Sequence, residues 1–507
     1  MSFPRRRESR QKALDPLLRG DDTKSMIKFI SKYKFQILLW LSILSFIVIF
    51  SYLSIRRYQT LNSYYYDLGI MNQVVYNTSR GRFLEMTNQD LKKNVSRLAI
   101  HFDPILAVFA PFYKLYEGPE VLLIGQVIIL GLGALAVFLI SQKVLKKNLI
   151  SLIFALTYLF YFAIQRVALF DFHAVALATT FFLFVLYFNL MKKNNWYYVF
   201  IFLSLMTKEH VGLVVFFLGI YLFFVKKEKK TGMITAILGI IFFIATVYFI
   251  IPYFRGSEHF ATGYFVDIKS RLPNIIKNGT SYFRLMISSL FYSLFSPLTL
   301  LISLPEWAIN ILSINSNQRS FYFHYNSIIV AFLFYSLILG YKNFDRIIKS
   351  KILKAIIFLI FVSINIYSIY QYNPTPYFVK QPVHYNEIDK IKSDSIKFLV
   401  NKLKDENIKV ATTPKLAPFF TERKYYFNFL YDGSYATMGK TDEDIYKNEI
   451  DKYTLADYII INRSEIGDTS KEGIPVKFYF KLLNDKSFRM VYSDEQGENS
   501  IEVFKKI

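Results

Sequence analysis

"FQILLWLSILSFIVIFSYL", residues 35–53, carries no charged side chain. At 1.5 Å of rise per residue, a helix of this length crosses a hydrocarbon core of roughly 30 Å. Lys24, Lys28, Lys32 and Lys34 precede it. Because cytoplasmic flanks of spans are enriched in Lys and Arg, this bias puts the N-terminus in the cytoplasm. The next polar stretch, "YYYDLGIMNQ" at 64–73, then lies on the outer side and places the Asp67 carboxylate there.

The rest of the chain repeats the pattern. Of 507 residues, 53% are hydrophobic, 18% aromatic and 20% charged, and long apolar runs recur. This composition specifies an α-helical polytopic membrane protein. The net charge of +23 sits in Lys clusters spread over the gaps between apolar runs. That is the distribution of cytoplasmic loops, not of a nucleic-acid surface, so no nucleic-acid partner is expected. With Cys 0, disulfides, thiolate metal sites and cysteine nucleophiles are excluded. Residues 1–25, opening "MSFPRRRESRQKALDPLLRGDD", are basic and polar without an apolar core, which rules out a signal peptide. They are expected to be a disordered extension, with Met26 as the functional start.

Threading from the first span gives a consistent path. A second span, about Glu120–Ile140, ends in the basic "SQKVLKKN". A third starts near Leu149 and delivers "FDFH" (170–173) outside. A fourth returns to "LMKKNN", a short fifth from Trp196 leads to "TKEH" (207–210), and a sixth returns to "VKKEKK". The seventh, Thr231 to about Ile251, exits to a polar stretch ending near Ser281. A pair broken at Ser296-Pro297, a segment from His324 to Tyr341 and a last run to Asn373 bring the total to about eleven spans. A transmembrane unit over 26–373, with a first external loop at 54–119, is followed by residues 374–507, which read as a soluble extracytoplasmic α/β domain. There "SDSIKFLVNKLKDENIKVATT" is a helix then a strand, "ADYIIIN" a buried strand, and "SFRMVYSDEQGENSIEVFKK" a hairpin. No internal repeat is visible.

Titratable residues collect on the outer side. All 6 histidines, His101, His173, His210, His259, His324 and His384, fall in outer segments. Three motifs set them beside acids: His101 with Asp103, Asp171 with His173, and Lys208 and Glu209 with His210. Charges at span ends generally face a cavity or the interface, since ionised groups in hydrocarbon are costly. Each group also has a plainer role. Asp67 suits the N-cap of the helix beginning "LGIMNQ", and Asp103 suits a cap ahead of Pro104. His101, Asp171 and His173 suit ordinary interfacial polarity, and Lys208 and Glu209 a surface pair. The tyrosine run and Trp307 suit an aromatic belt.

In order along the chain, "YYYDLGIMNQVVYNTSRG", "HFDPILAVFAPFYKLY", "LFDFHAVALA", "SLMTKEHVGL" and "LPEWAINILS…FYFHYNS" resemble a family of predicted bacterial and archaeal multispanning proteins. That family is a domain of unknown function in the GT-C glycosyltransferase superfamily, and the resemblance covers about 35–373. It implies a sugar donor carried on polyprenyl phosphate, a glycan, lipid or protein acceptor, surrounding membrane lipids, and a plasma-membrane location. It also implies an essential acid shortly after the first span, where Asp67 stands. Asp67 is then the general base of an inverting transfer, and Lys208, with Arg97 and Arg166 behind it, contacts the leaving phosphate. His101, Asp171, His173, Glu209 and His324 orient groups or bind sugar. A divalent metal is a possible cofactor, with Asp67, His101, Asp171, His173 and Glu209 as candidate ligands. A transporter or lipid flippase, and a non-catalytic glycolipid-binding relative, are the competing readings.

Overall fold

In the computed structural model, residues 20–259, 265, 268–375, 379–380, 382–385, 387–388, 390–429, 452–468, 470, 473–494 and 500–507 are described. The first helix runs Gly20–Gln59. It therefore begins inside the stretch expected to be unstructured up to residue 25; residues 1–19 lie outside the described ones.

Among the described residues, five helices are long and apolar enough to cross a bilayer: Ser31–Gln59, Glu120–Leu145, Lys229–Arg255, His324–Ile347 and Lys351–Tyr372. A sixth span is obtained if Asn148–Phe160 and Phe162–Leu169, bent by 44° at Tyr161, count as one. Shorter apolar helices at Pro104–Tyr113, Ala174–Leu190, Val211–Phe224 and Pro297–Leu312 complete the apolar set. The count of about eleven spans therefore exceeds what helix length and composition supply. The discrepancy lies in segments such as Asn194–Leu205 and Pro297–Leu312, which are apolar but short.

Burial separates inner from outer helices. The most apolar window of His324–Ile347 is 83% buried, whereas that of Lys351–Tyr372 is only 11% buried. An apolar helix that protein leaves bare on nearly every side is suited to lipid. Val211–Phe224 and Lys229–Ile244 pack as an antiparallel pair with their backbones in contact. A Cβ on Gly219 would sit 2.3 Å from the Ala236 nitrogen, and one on Gly239 would sit 2.4 Å from that of Phe216. Small residues permit this approach, as is usual between membrane helices.

Five strands among the described residues of the C-terminal part build a mixed sheet. Its strands are β3 (Val410–Thr412), β4 (Tyr426–Asn428), β5 (Tyr458–Asn462), β6 (Phe488–Ser493) and β7 (Ile501–Lys506), in the order β4-β3-β5-β7-β6. β3 is parallel to β4 and β5; β7 is antiparallel to β5 and β6. The helix Lys390–Lys402, the buried strand in "ADYIIIN" and the final hairpin fall where the sequence pattern set them.

The sheet is clamped to the loop after the first span, a contact no local pattern announces. That loop holds a hairpin, β1 (Glu85–Asn88) with β2 (Lys93–Ser96). The Asn428 N–H donates to Gln89 Oε1 at 2.7 Å, and Gln89 Nε2 donates to the Tyr426 carbonyl at 3.1 Å. Tyr65 stacks on Tyr426 with ring centroids 5.0 Å apart. Loop and sheet thus share one apolar core that includes Leu68, Val74, Leu416 and Phe420.

Candidate active site

Asp67 belongs to a wide π-helical turn, Tyr65–Gly69, that leads into the helix Ile70–Ser79. It caps neither element: no side-chain cap bond is made, and Gly69 occupies the N-cap of the second. Tyr65, Leu68 and Gly69 are buried, and Gln89 Nε2 donates to the Tyr65 hydroxyl at 2.7 Å. With those neighbours anchored, the Asp67 carboxylate projects into a cavity of about 450 Å³.

The cavity wall gathers segments far apart in the chain: Tyr66, Asp67, His101, His173, Lys208 and His324 all line it. His173 Nε2 approaches Asp67 Oδ1 to 3.2 Å, and the His324 ring stacks on His173 at 3.6 Å. The turn bearing His173 is pinned from behind. Its backbone N–H donates to Gln126 Oε1 at 2.9 Å, and Gln126 Nε2 donates to the Val167 carbonyl at 3.0 Å.

Three expected site residues have other partners. Asp171 is buried away from the cavity, ion-paired with Arg57 and accepting from the Ser63 hydroxyl at 2.6 Å. It fastens the start of the Asp67 loop to the 170–173 turn, so it is neither a sugar contact nor a metal ligand here. Arg97 lines the cavity, but its Nε and Nη2 donate to Asp103, at 3.1 and 2.8 Å. This buried pair also replaces the capping role of Asp103, which makes no cap bond. Arg166 points elsewhere, donating to the Tyr372 carbonyl at 3.0 Å and lying 4.6 Å over the Tyr322 ring. Neither arginine is placed to receive a leaving phosphate. The Lys208 ammonium, by contrast, makes no ion pair or hydrogen bond among the described residues, and Lys208 lines the cavity.

Arg57 and His259 escaped the sequence reading. A signal for the first was present: Arg56 and Arg57 sit at the end of the first span expected to be outer, against the usual bias of basic residues. Such a placement calls for a buried counter-charge. His259 had no local signal beyond its side of the membrane.

A second cavity, of about 370 Å³, adjoins the first; both include His101, Lys208 and Tyr325 in their walls. Most of its exposed wall is apolar, with Leu213, Phe243, Val247 and Ile309, and Glu209, His210, His259, Glu306, Asn310 and Gln318 line it as well. Against it, Glu209 accepts from the Phe102 N–H at 3.0 Å, and its Oε1 lies 3.0 Å from His101 Nδ1 and 3.3 Å from His259 Nε2. Burial pushes the His101 imidazole down, to about 3, against the pull of Glu209. Burial alone would raise the Glu209 carboxyl; the interactions with His101, with His259 and Lys208 adding, outweigh it and hold it well below the usual range. A neutral imidazole beside a carboxylate is the protonation state that metal ligation requires. The donor atoms of His101, Glu209 and His259 lie within 4.8 Å of one another, so this N, O, N set fits Zn²⁺ or Mn²⁺. The expected ligand set is thereby regrouped. His101 and Glu209 stay together and His259 joins them, while Asp67 and His173 form a separate pair and Asp171 is occupied by Arg57.

The solved structure described as ArnT from Cupriavidus metallidurans bound to undecaprenyl phosphate matches this one with a TM-score of 0.50 at 11% identity. The match covers 91% of this chain and 98% of that one. The likeness is one of fold, and it agrees with the GT-C relationship that the motifs imply. No curated protein matches the sequence. The family described as predicted membrane protein (DUF2079) matches residues 57–498, and the chain belongs to that family.

Proposed function

We propose that this DUF2079 protein is a membrane glycosyltransferase that moves a sugar from a polyprenyl-phosphate carrier to an extracytoplasmic acceptor, with inversion. The observation that carries this reading is the meeting at Lys208 of two cavities, one mixed in character around Asp67 and His173 and one whose exposed wall is mostly apolar. A lipid-linked sugar has the matching form, a polar head joined to an apolar chain through a phosphate. ArnT, whose fold this chain shares, was solved bound to undecaprenyl phosphate, and the same class of carrier suits the paired cavities here.

In the proposed reaction an acceptor hydroxyl attacks the anomeric carbon from the face opposite the phosphate. Asp67 accepts the hydroxyl proton as the new C–O bond forms. The bond to the phosphate oxygen breaks, and polyprenyl phosphate leaves with the electron pair. General-base assistance of this kind contributes roughly 10²–10⁴-fold. The departing phosphate needs positive charge, which Lys208 supplies at the cavity junction. His173 fixes the carboxylate, and His324 stacks behind it. A divalent ion held by His101, Glu209 and His259 would add positive charge beside the same junction. In this reading the loop 54–119 carries the base, and residues 374–507 form an outer unit that supports it and helps position the acceptor.

The plasma membrane is the proposed location, with the N-terminus cytoplasmic and Asp67 facing outward. The cavity groups come from turns at helix ends: Asp67 follows the first helix, and Lys208 lies between Asn194–Leu205 and Val211–Phe224. This favours interfacial transfer over a transport path, which would concentrate such groups at mid-membrane. The deciding experiment incubates the purified protein with a panel of polyprenyl-phosphate sugars and assays free carrier. Carrier release that disappears in Asp67→Asn supports the proposal; no release from any donor would leave glycolipid binding without catalysis.

A further inference from the structure

A recess of about 410 Å³ opens at the other end of the bundle, among Tyr221, Lys226, Thr299, Lys342 and Arg346. Two of the helices that frame the Asp67 cavity lead to it. Val211–Phe224 starts beside Lys208 and ends just before Lys226, and Ser327–Ile347 starts beside His324 and carries Lys342 and Arg346 in its last turns. At 1.5 Å per residue the two sites are separated by roughly 20–30 Å, close to a membrane thickness.

The charge in this recess is one-sided. The nearby carboxylates are already engaged: Glu228 by Lys192 and by Asn189 at 2.9 Å, and Asp345 by Lys147 at 3.1 Å and Lys354 at 2.9 Å. Lys226, Lys342 and Arg346 take part in no ion pair among the described residues; Lys226 lies 5.8 Å over the Tyr221 ring. Burial pushes the Lys226 ammonium down, with Lys342 and Lys192 repelling it against the pull of Glu228. An anion entering here relieves that repulsion. The rim is apolar and bare, with Val225 42%, Phe295 39% and Leu298 52% exposed. A soluble anion gains nothing from such a rim, whereas a phospholipid offers it acyl chain directly below a phosphate.

We propose that this recess binds the phosphate headgroup of an anionic phospholipid, in the leaflet opposite the Asp67 cavity. Lys226, Lys342 and Arg346 clasp the phosphate, and the acyl chains lie along Val225, Phe295 and Leu298. Basic pockets between membrane helices recognise anionic headgroups in this way. The proposal does not depend on the glycosyltransferase reading, since none of its residues lines the Asp67 cavity.

The test is native mass spectrometry of the full-length protein released from mixed micelles of phosphatidylglycerol and phosphatidylcholine, with and without millimolar inorganic phosphate. Retained phosphatidylglycerol, no retained phosphatidylcholine and no competition by phosphate are expected. Lys226→Gln/Lys342→Gln/Arg346→Gln should weaken retention on the order of 100-fold for three basic residues. A charge-matched control, Lys229→Gln/Lys230→Gln/Lys351→Gln, should retain the lipid. Should the triple variant fail to fold, Lys342→Gln alone is expected to weaken retention about fivefold. Equal retention by the recess variants, equal loss in the control or displacement by inorganic phosphate overturns the proposal. The last outcome would make the site one for a soluble anion.

Discussion

His173 stands between two aspartates, its Nε2 3.2 Å from Asp67 Oδ1 and its Nδ1 2.9 Å from the backbone carbonyl of Asp171. The carbonyl can only accept, so Nδ1 carries a proton. Nε2 can then bond to Asp67 only if a proton also lies between them. His173 thereby holds one oxygen of the carboxylate, and in the proposed transfer the other oxygen would accept the proton of the acceptor hydroxyl.

The Asp67→Asn variant should lose carrier release by roughly 10²–10⁴-fold while folding normally, because it keeps the shape and removes the base. His173→Gln, which keeps a hydrogen-bonding group, should retain part of the rate. Unchanged turnover in Asp67→Asn would remove the base assignment. The check is a carrier-release assay beside gel filtration.

Lys208→Ala is expected to weaken binding of the polyprenyl phosphate about tenfold or more, the range of a hydrogen bond to a charged group. Arg166→Ala should leave that affinity unchanged, because its guanidinium already serves the Tyr372 carbonyl. Equilibrium binding of a fluorescent polyprenyl phosphate to both variants separates the two.

Asp171→Ala removes the buried partner of the half-buried Arg57, a change whose upper bound is the roughly 3–5 kcal/mol of breaking a fully buried pair. A double change, Arg57→Met with Asp171→Leu, should recover much of this loss in thermal unfolding in detergent. Carrier release should stay low even so, since Ser63 and the Tyr64 N–H also bond to Asp171 and hold the Asp67 loop.

Glu422 gives the protein a pH-dependent stability. Burial pushes its carboxyl up from 4.5 to about 7, with Asn72 opposing and Glu120 and Glu117 adding. The folded chain keeps this proton to about pH 7, whereas the unfolded chain releases it near 4.5. The contribution is therefore full below the lower value, falls as pH rises through the window, and levels off above it. Glu422→Gln should flatten this slope, so that melting temperatures of variant and parent diverge most at pH 8.

Gly219→Val should destabilise the protein by about 1–3 kcal/mol or more, because the new side chain meets backbone that cannot retreat. The contact is 2.3 Å to the Ala236 nitrogen. Thermal unfolding measures the loss. The same pair of helices separates Glu209 from His259, so Zn²⁺ uptake read by elemental analysis should fall with it.

The sequence alone settled whatever depends on neighbours along the chain. Apolar run length fixed the spans at 35–53 and 120–140, local pattern fixed the buried strand at 458–462 and the hairpin strands at 488–493 and 501–506, and the side bias of basic residues gathered Asp67, His101, His173 and Lys208 together. Those features are local because helix rise, strand pleat and the cost of charge in hydrocarbon act residue by residue. Only the tertiary structure decided which charge meets which. Asp171 went to Arg57, Arg97 to Asp103 and Glu209 to His259, and the sheet closed over the loop that holds Asp67. A buried ion must find a partner wherever packing brings one within about 4 Å, and nothing in the spacing of residues 57 and 171 encodes that distance.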